Sequence, residues 1–273
     1  MNVLEFLRRA QVVDNIGSLR SKLQTKQTTI GSWITIDSPV VTEIMARSGF
    51  DWLVVDMEHS AITLDIAQNL IRVIDLCGVP PLVRVGHNQP NLIKRVMDAG
   101  AHGVIVPMVN TRKEAEQAVR SVKYPPVGSR GVGLARAQQY GQDFGGYHNW
   151  NRDHSVVIVQ VEHIQAVENL EEILDVPGVD GFIVGPYDLS GSLGVPGQFD
   201  HPDVIKALQT IKVVSEQKKA LAGFHIISPD PAIVLEKERE GYKFIALSLD
   251  ILYLGNSCRQ TLAACKTNGD KHE

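Results

Sequence analysis

Four short, mostly β-branched runs in this chain turn polar at their C-terminal ends. They are Leu53-Val54-Val55-Asp56-Met57-Glu58-His59, Leu82-Val83-Arg84-Val85, Val157-Ile158-Val159-Gln160-Val161-Glu162 and Phe182-Ile183-Val184-Gly185-Pro186-Tyr187-Asp188. A strand covered on both faces reads as an unbroken apolar run, whereas a half-exposed strand alternates. The runs therefore read as strands of a parallel sheet. Parallel strands that each end in ionisable residues gather those residues at one rim.

Similar runs occur eight times: Ile30–Ile36, Trp52–Asp56, Leu82–Val85, Gly103–Val106, Val156–Glu162, Gly181–Val184, Leu221–Phe224 and Phe244–Leu247. Helical patterns separate most of them, at Val40–Ser48, Leu64–Leu76, Asn91–Ala99, Lys113–Val122, Val167–Leu174, Val204–Lys219 and Pro231–Arg239. Helix starts are signalled by Ser38-Pro39, Thr63 before Asp65, Asn88 with Pro90, and Ser228 with Pro229. This alternation implies right-handed crossovers between parallel strands. An open, doubly wound sheet has the same alternation, but eight units in 273 residues favour closure. About 250 residues is the usual size of a (β/α)8 (TIM) barrel, whose active site lies at the C-terminal ends of the strands. The expected architecture is thus α/β, a single (β/α)8 barrel domain over residues 1–273. Residues 1–28 are expected as a helical extension that caps its lower end, and a C-terminal helix should follow the last strand. The stretch from Pro125 to His154 is rich in Gly, Gln, Tyr and His and too long for a simple connection. It reads as an arm over the active-site mouth or at a subunit contact.

Hydrophobic content of 44% and charged content of 21% are ordinary for a globular protein. The net charge of -4 leaves no basic footprint for nucleic acid. Cys77, Cys258 and Cys265 follow no metal or redox spacing, which fits a reduced, cytoplasmic setting. No run approaches the roughly 20 apolar residues of a membrane span, so no membrane partner is expected.

Glu162 and Asp188 fall at the ends of neighbouring strands. Two carboxylates brought together repel unless one is protonated or a cation lies between them. Hard divalent ions take such oxygen ligands together with substrate and water. Each carboxylate alone could be a helix cap or an ion-pair partner; the two together favour a metal. Tetrahedral zinc fits less well, since there is no Cys pair or His-x-x-x-His helix, although His163 and His225 leave a nitrogen ligand open. Asp56 and His59 follow the second strand, where a carboxylate could fix an imidazole for proton transfer. Arg84 in an apolar strand needs a partner, either a metal-ligand carboxylate or a developing oxyanion. Gly185-Pro186 and Gly133 could bring backbone N–H groups close to a substrate carboxylate. Gly131-Val132-Gly133 lacks the third glycine and preceding strand of a dinucleotide site. Lys243 precedes the eighth strand and Lys94 lies in a helix, so no lysine is placed for imine chemistry.

As an ordered set, Asp51-Trp52-Leu53-Val54-Val55-Asp56-Met57-Glu58-His59, Leu82-Val83-Arg84-Val85, Gly100-Ala101-His102-Gly103-Val104-Ile105-Val106-Pro107-Met108-Val109, Gln160-Val161-Glu162 and Gly185-Pro186-Tyr187-Asp188-Leu189-Ser190 resemble the HpcH/HpaI family of class II pyruvate-type aldolases. The resemblance runs from about Gly31 to Gly255. It implies that Glu162 and Asp188 bind Mg2+, Mn2+ or Co2+, which chelates a 2-oxo acid. It further implies that Arg84 stabilises the pyruvate enolate, and that His59, oriented by Asp56, acts as acid/base toward the aldehyde half. Gln160, Gly185, Pro186, Tyr187 and His225 would line the oxo-acid site, and Asp98 would reach a neighbouring subunit's site in a homohexamer built as a trimer of dimers. Three positions depart from the family pattern: His163 replaces Ser or Thr, Tyr187 replaces a small residue, and His225 replaces an apolar residue near the pyruvate methyl.

The expected activity is that of a metal-dependent lyase. It would cleave a 4-hydroxy-2-oxo acid reversibly to pyruvate and an aldehyde. The alternatives are a condensing enzyme that uses an oxaloacetate-derived enolate, as a citrate synthase does, and a non-catalytic oxo-acid binder.

Overall fold

The computed structural model describes residues 16–269. Its eight strands are β1 (Thr29–Ile34), β2 (Trp52–Asp56), β3 (Pro81–Arg84), β4 (Gly103–Val106), β5 (Val156–Val161), β6 (Gly181–Val184), β7 (Ala222–Ile226) and β8 (Phe244–Leu249). They pair in parallel in sequence order and close into a barrel, with β8 returning to β1. Before β1 lies α1 (Ile16–Gln24), and the next four crossovers carry α2 (Pro39–Ala46), α3 (Leu64–Leu76), α4 (Pro90–Asp98) and α5 (Arg112–Val122). A 3₁₀ turn (Arg136–Gly141) and α6 (Phe144–His154) precede β5; α7 (Ile164–Glu168), α8 (Leu170–Leu174), α9 (Pro186–Ser192), α10 (Pro202–Lys218), α11 (Pro231–Arg239) and α12 (Asp250–Gly269) complete the chain.

Strand alternation sorts the apolar residues into two layers. Leu53, Val55, Val83, Val104, Val157 and Val159 face outward and pack against the helices. Trp52, Val54, Leu82, Ile105, Ile158, Ile183 and Phe244 fill the barrel itself. At its lower end Trp52 and Phe244 stack, with centroids 4.0 Å apart and planes 9° apart. Gly31 makes room for this stack, since a Cβ there would fall 2.1 Å from the Trp52 ring. Leu19 and Leu23 of α1 join the same cluster, so α1 caps the lower end of the barrel. The remainder of the expected extension, residues 1–15, lies outside the described residues.

Several expected features differ in detail. The N-cap of α4 is Gln89, one residue after Asn88, and that of α11 is Asp230, two residues after Ser228, because Pro90 and Pro231 each take the first helical position. Ser38 does cap α2, accepting from the Val41 N–H at 3.3 Å. The stretch expected as one helix over Val167–Leu174 is two short helices, broken at Asn169. The Pro125–His154 arm is not irregular throughout. Its second half forms α6, which Asp143 caps by accepting from the Gly146 N–H at 2.8 Å.

Two buried cations tie this arm to the barrel wall. Arg130 pairs with Asp98 at 2.5 Å, donates to Tyr147 Oη at 2.9 Å and lies over the Tyr124 ring at 4.6 Å. Lys123 Nζ donates to the carbonyls of Asn151 (2.9 Å) and Ser155 (3.0 Å) and to Ser155 Oγ (2.7 Å). It is the one buried lysine among the described residues, and it sits at the start of β5, at the end of the barrel away from the ionisable rim. Lys123→Met should strip three hydrogen bonds from buried oxygens, leaving Ser155 Oγ and the Asn151 carbonyl only each other, and cost about 3 kcal/mol. Urea unfolding would measure this, with early proteolytic cleavage in the arm as the accompanying sign.

Candidate active site

The inward row of each strand stays apolar until its last member. In β2 it runs Trp52, Val54, Asp56; in β3, Leu82, Arg84; in β5, Val156, Ile158, Gln160, with Glu162 one step beyond. The pairing of Trp33 with Val54 and of Val54 with Leu82, and its continuation around the sheet, stacks Trp33, Arg84, Gln160 and His225 as one layer from alternate strands. This layer is the floor of the pocket at the C-terminal rim. Above it stand Asp56, Glu58, Glu162 and the first turn of α9, which carries Asp188.

Arg84 and Asp56 are the best-held pair. They face each other across β2 and β3, and Arg84 is only 7% exposed. Nε donates to Asp56 Oδ1 at 2.9 Å and Nη2 to Oδ2 at 2.6 Å. The guanidinium also lies over the Trp33 ring, 4.3 Å from its centroid. Burial pushes the Asp56 carboxyl up, but the Arg84 hydrogen bonds and charge outweigh it, so Asp56 ends below the usual carboxylate range. Asp56 also accepts from the backbone N–H groups of Glu58 (3.0 Å) and His59 (3.3 Å).

This geometry corrects the expected Asp56–His59 dyad. Asp56 takes the Arg84 fork on its two oxygens and the His59 backbone N–H on Oδ1, so it holds the His59 backbone and not its imidazole. The carboxylate beside the imidazole is Glu58, whose Oε2 lies 3.7 Å from His59 Nε2 and 3.4 Å from Arg84 Nε. The His59 ring itself is largely exposed at the mouth.

Glu162 is buried against the opposite wall. Its Oε1 accepts the Met108 N–H at 2.7 Å and its Oε2 meets the Gln160 amide. Met108 turns that N–H inward by adopting φ +51, a left-handed conformation that costs a non-glycine residue about 1–2 kcal/mol. Burial, the chief cause, pushes Glu162 up to about 7; the Met108 N–H opposes this, and the charges of Glu58 and Asp188 add to it. Glu58 is likewise pushed up to about 7 by burial, with Arg84 opposing and Asp56 and Asp188 reinforcing. Asp188 is exposed. Gly185 keeps the space beside Glu162 open, since a Cβ there would lie 3.1 Å from Glu162 Oε2 and 3.2 Å from Gln160 Nε2.

The donor set fits a hard divalent cation. Glu162, Asp188 and Glu58 crowd negative charge into one pocket, and Glu58 Oε2 and Gln160 Oε1 are buried without hydrogen bonds. Among the described residues no three His, Cys, Asp or Glu side chains form a ready-made metal cage. Magnesium-type ions do not need one, because substrate oxygens and water complete their octahedron.

Other expected residues fall outside this cluster. His163 is the N-cap of α7, its Nδ1 accepting the Gln165 N–H at 3.1 Å, so it is engaged with the backbone. Tyr187 is exposed at the rim and packs edge-on against Phe199, with centroids 4.9 Å apart. Gly133 lies beside Asp98, with the Asp98 carboxylate 3.3 Å from where its Cβ would be; both are in the arm region, where Asp98 pairs with Arg130 of its own chain. Glu58, Trp33 and Met108 join the site without having been singled out. Glu58 had a signal, since it lies two residues beyond Asp56 and so on the same side of an extended chain.

A parallel eight-stranded barrel with paired carboxylates at β5 and β6 and a buried Arg–Asp fork at β2 and β3 defines a class of rim-located enzyme site. The HpcH/HpaI aldolase/citrate lyase family profile matches residues 29–256, and the chain belongs to that family. The chain is 38% identical to the 2-keto-3-deoxy-L-rhamnonate aldolase of Klebsiella pneumoniae over 245 residues, covering 89% of this chain and 90% of that one. It is also similar to the crystal structure of a family protein from Burkholderia cenocepacia, with TM-score 0.86, 33% identity, and coverage of 92% and 99% of the two chains. The structure of the citrate synthase SbnG is similar at TM-score 0.82 and 28% identity, with coverage of 92% and 98%.

The raised carboxyls set a pH dependence. A carboxyl whose folded pKa exceeds its unfolded value destabilises the fold once ionised, so stability falls as pH rises through about 7. His225, held down at about 4 chiefly by burial, has the opposite effect, but only below its unfolded value of about 6.5. Between about pH 6 and 7 the metal-free protein should therefore lose stability to urea and then level off, and Glu58→Gln should flatten that slope. Over the same range Mn2+ affinity by calorimetry should rise, and Glu162→Ala should abolish it.

Proposed function

We propose that this protein is a class II aldolase that cleaves a 4-hydroxy-2-oxo acid reversibly to a pyruvate-type 2-oxo acid and an aldehyde, with Mg2+, Mn2+ or Co2+ held by Glu162 and Asp188. The observation that carries this reading is the crowding of Glu58, Glu162 and Asp188 opposite an arginine already fixed in place. When bound, the ion supplies Lewis-acid polarisation of the oxo acid's keto group. Asp56 takes Nε and Nη2 of Arg84 and leaves Nη1 for the oxygen that becomes negative as the enolate forms. The Met108 N–H and the Gln160 amide fix the Glu162 carboxylate, so that it need not reorganise during reaction. Gly185 and Pro186 bring the start of α9 close to Glu162, and Tyr187 lies further out at the mouth. His59, beside Glu58, is placed to take and return the proton of the C4 hydroxyl, with Asp56 holding its backbone. A buried floor whose one cation, Arg84, is met by Asp56, and a charged, open mouth suit an oxo acid held below and a variable aldehyde above.

Homohexamer assembly and a cytoplasmic setting belong to the same proposal. Support for self-assembly comes from apolar side chains left exposed on α12 (Ile251, Leu254, Leu262) and on the arm (Val132, Leu134), near Asp98. Among the described residues no helix is long and apolar enough to cross a membrane.

Exchange of the pyruvate methyl protons in D2O, followed by NMR, should require added Mg2+ and stop with EDTA. Arg84→Ala should lower that exchange at least 100-fold, about 3 kcal/mol of transition-state stabilisation, while calorimetry still shows metal binding. Exchange that proceeds in EDTA, or equal loss of metal binding in a folded Arg84→Ala protein, would contradict the assignment. Citrate formed from oxaloacetate without aldol cleavage would favour the condensing alternative.

A further inference from the structure

The pocket floor is polar where an oxo acid that ends in a methyl would want it apolar. His225 and Trp33 belong to the same layer as Arg84, their rings 5.2 Å apart. Both His225 Nε2 and Trp33 Nε1 are buried and make no hydrogen bond. Burial, helped by the Arg84 charge and opposed by Asp56, holds His225 down at about 4, so its imidazole is neutral at working pH. An indole nitrogen can only donate, and a neutral imidazole nitrogen donates or accepts according to tautomer. Leaving both against a methyl keeps two polar atoms desolvated for no return. A hydroxyl satisfies both, since it can accept from Trp33 Nε1 and donate to His225 Nε2. A carboxylate could accept from both nitrogens, but Asp56 already meets the Arg84 charge, so it would add an uncompensated negative charge to the buried floor.

We propose that His225, with Trp33, selects an oxo-acid donor that carries a hydroxyl on C3, the carbon that becomes the nucleophile. This rests on the aldolase reading above and names its donor class, the 3-hydroxy-2-oxo acids, of which 3-hydroxypyruvate is the smallest. In the cleavage direction the C3–C4 bond of a 3,4-dihydroxy-2-oxo acid breaks. Its electron pair moves between C3 and C2, and the C2 carbonyl pair moves onto oxygen. The C4 hydroxyl gives up its proton as the aldehyde forms, and a proton returned to C3 completes the 3-hydroxy-2-oxo acid. Nothing is oxidised or reduced, and the hydroxyl on C3 is held throughout without reacting. His225 is thus a specificity-determining residue and not an acid or base.

The test compares C3 proton exchange in D2O for 3-hydroxypyruvate, pyruvate and oxaloacetate with the full-length, Mg2+-loaded protein, each corrected for its protein-free rate. The wild type should exchange 3-hydroxypyruvate with the highest kcat/KM. His225→Leu should lower the 3-hydroxypyruvate to pyruvate ratio roughly ten-fold or more while pyruvate exchange persists, because a site built to bond a hydroxyl discriminates by leaving its own groups unpaired without one. His225→Asn, which keeps a hydrogen-bonding side chain, should recover part of the ratio. Near-UV circular dichroism checks folding; if His225→Leu does not fold, the wild-type ranking and His225→Asn decide. A wild-type preference for pyruvate or oxaloacetate, or a ratio unchanged in a folded His225→Leu protein, overturns the donor assignment and leaves the aldolase reading standing. Absence of exchange with every donor overturns both.

Discussion

The buried fork between Arg84 and Asp56 is the interaction on which the rest of the rim depends. An arginine on the inside of a barrel strand is tolerable only if its charge is met and most of its N–H groups are bonded. Asp56, directly opposite on the next strand, meets both requirements with two hydrogen bonds. The fork, with two backbone N–H groups on Oδ1, engages both oxygens of Asp56. The chain after β2 must therefore offer a different carboxylate to the mouth, and Glu58, two residues on, is the one that turns inward beside Arg84 Nε. Backbone bonds from Glu58 and His59 to Asp56 fix that turn. The position of His59 thus follows indirectly from a pair that does not include its side chain.

The opposite wall is organised by frustration. Glu162 is anchored by a backbone N–H that Met108 can supply only from a left-handed conformation, and by an amide one strand-step below it. Even so, burial and the neighbouring acids hold Glu58 and Glu162 near neutrality in their titration. Strain and repulsion of this kind persist only where the surrounding fold over-determines them, and they concentrate at functional sites. A cation between the acids, and an anionic oxo acid facing Arg84, would relieve both at once.

Much of this was legible in the sequence because it follows from period and from runs. The eight strands were readable, since a buried parallel strand has one unmistakable pattern, and Trp52–Asp56, Gly103–Val106 and Gly181–Val184 have the expected bounds. Helix starts were less legible where Pro90 and Pro231 shifted the cap by one or two residues. Helix α6 was hidden because its residues, Gly145, Gly146 and several aromatics, have weak helix propensity, and it forms by packing Tyr147 and Trp150 onto the barrel wall. The role of Asp56 was misread for a similar reason. Sequence proximity joins Asp56 to His59, whereas strand register joins it to Arg84, 28 residues away.

The closed parallel barrel, the rim on which the ionisable residues gather, and the carboxylates and arginine available there are written along the chain. Those follow from local apolar periodicity and from which residue ends each run. Which carboxylate neutralises the arginine, which is left under strain, and which buried nitrogens go unpaired in the pocket floor are set only by the packed fold. These depend on inter-strand register and on the layering of alternate strands, which bring Trp33, Arg84, Gln160 and His225 to one height. No spacing along the chain encodes that coincidence; it arises when eight strands close at a fixed stagger.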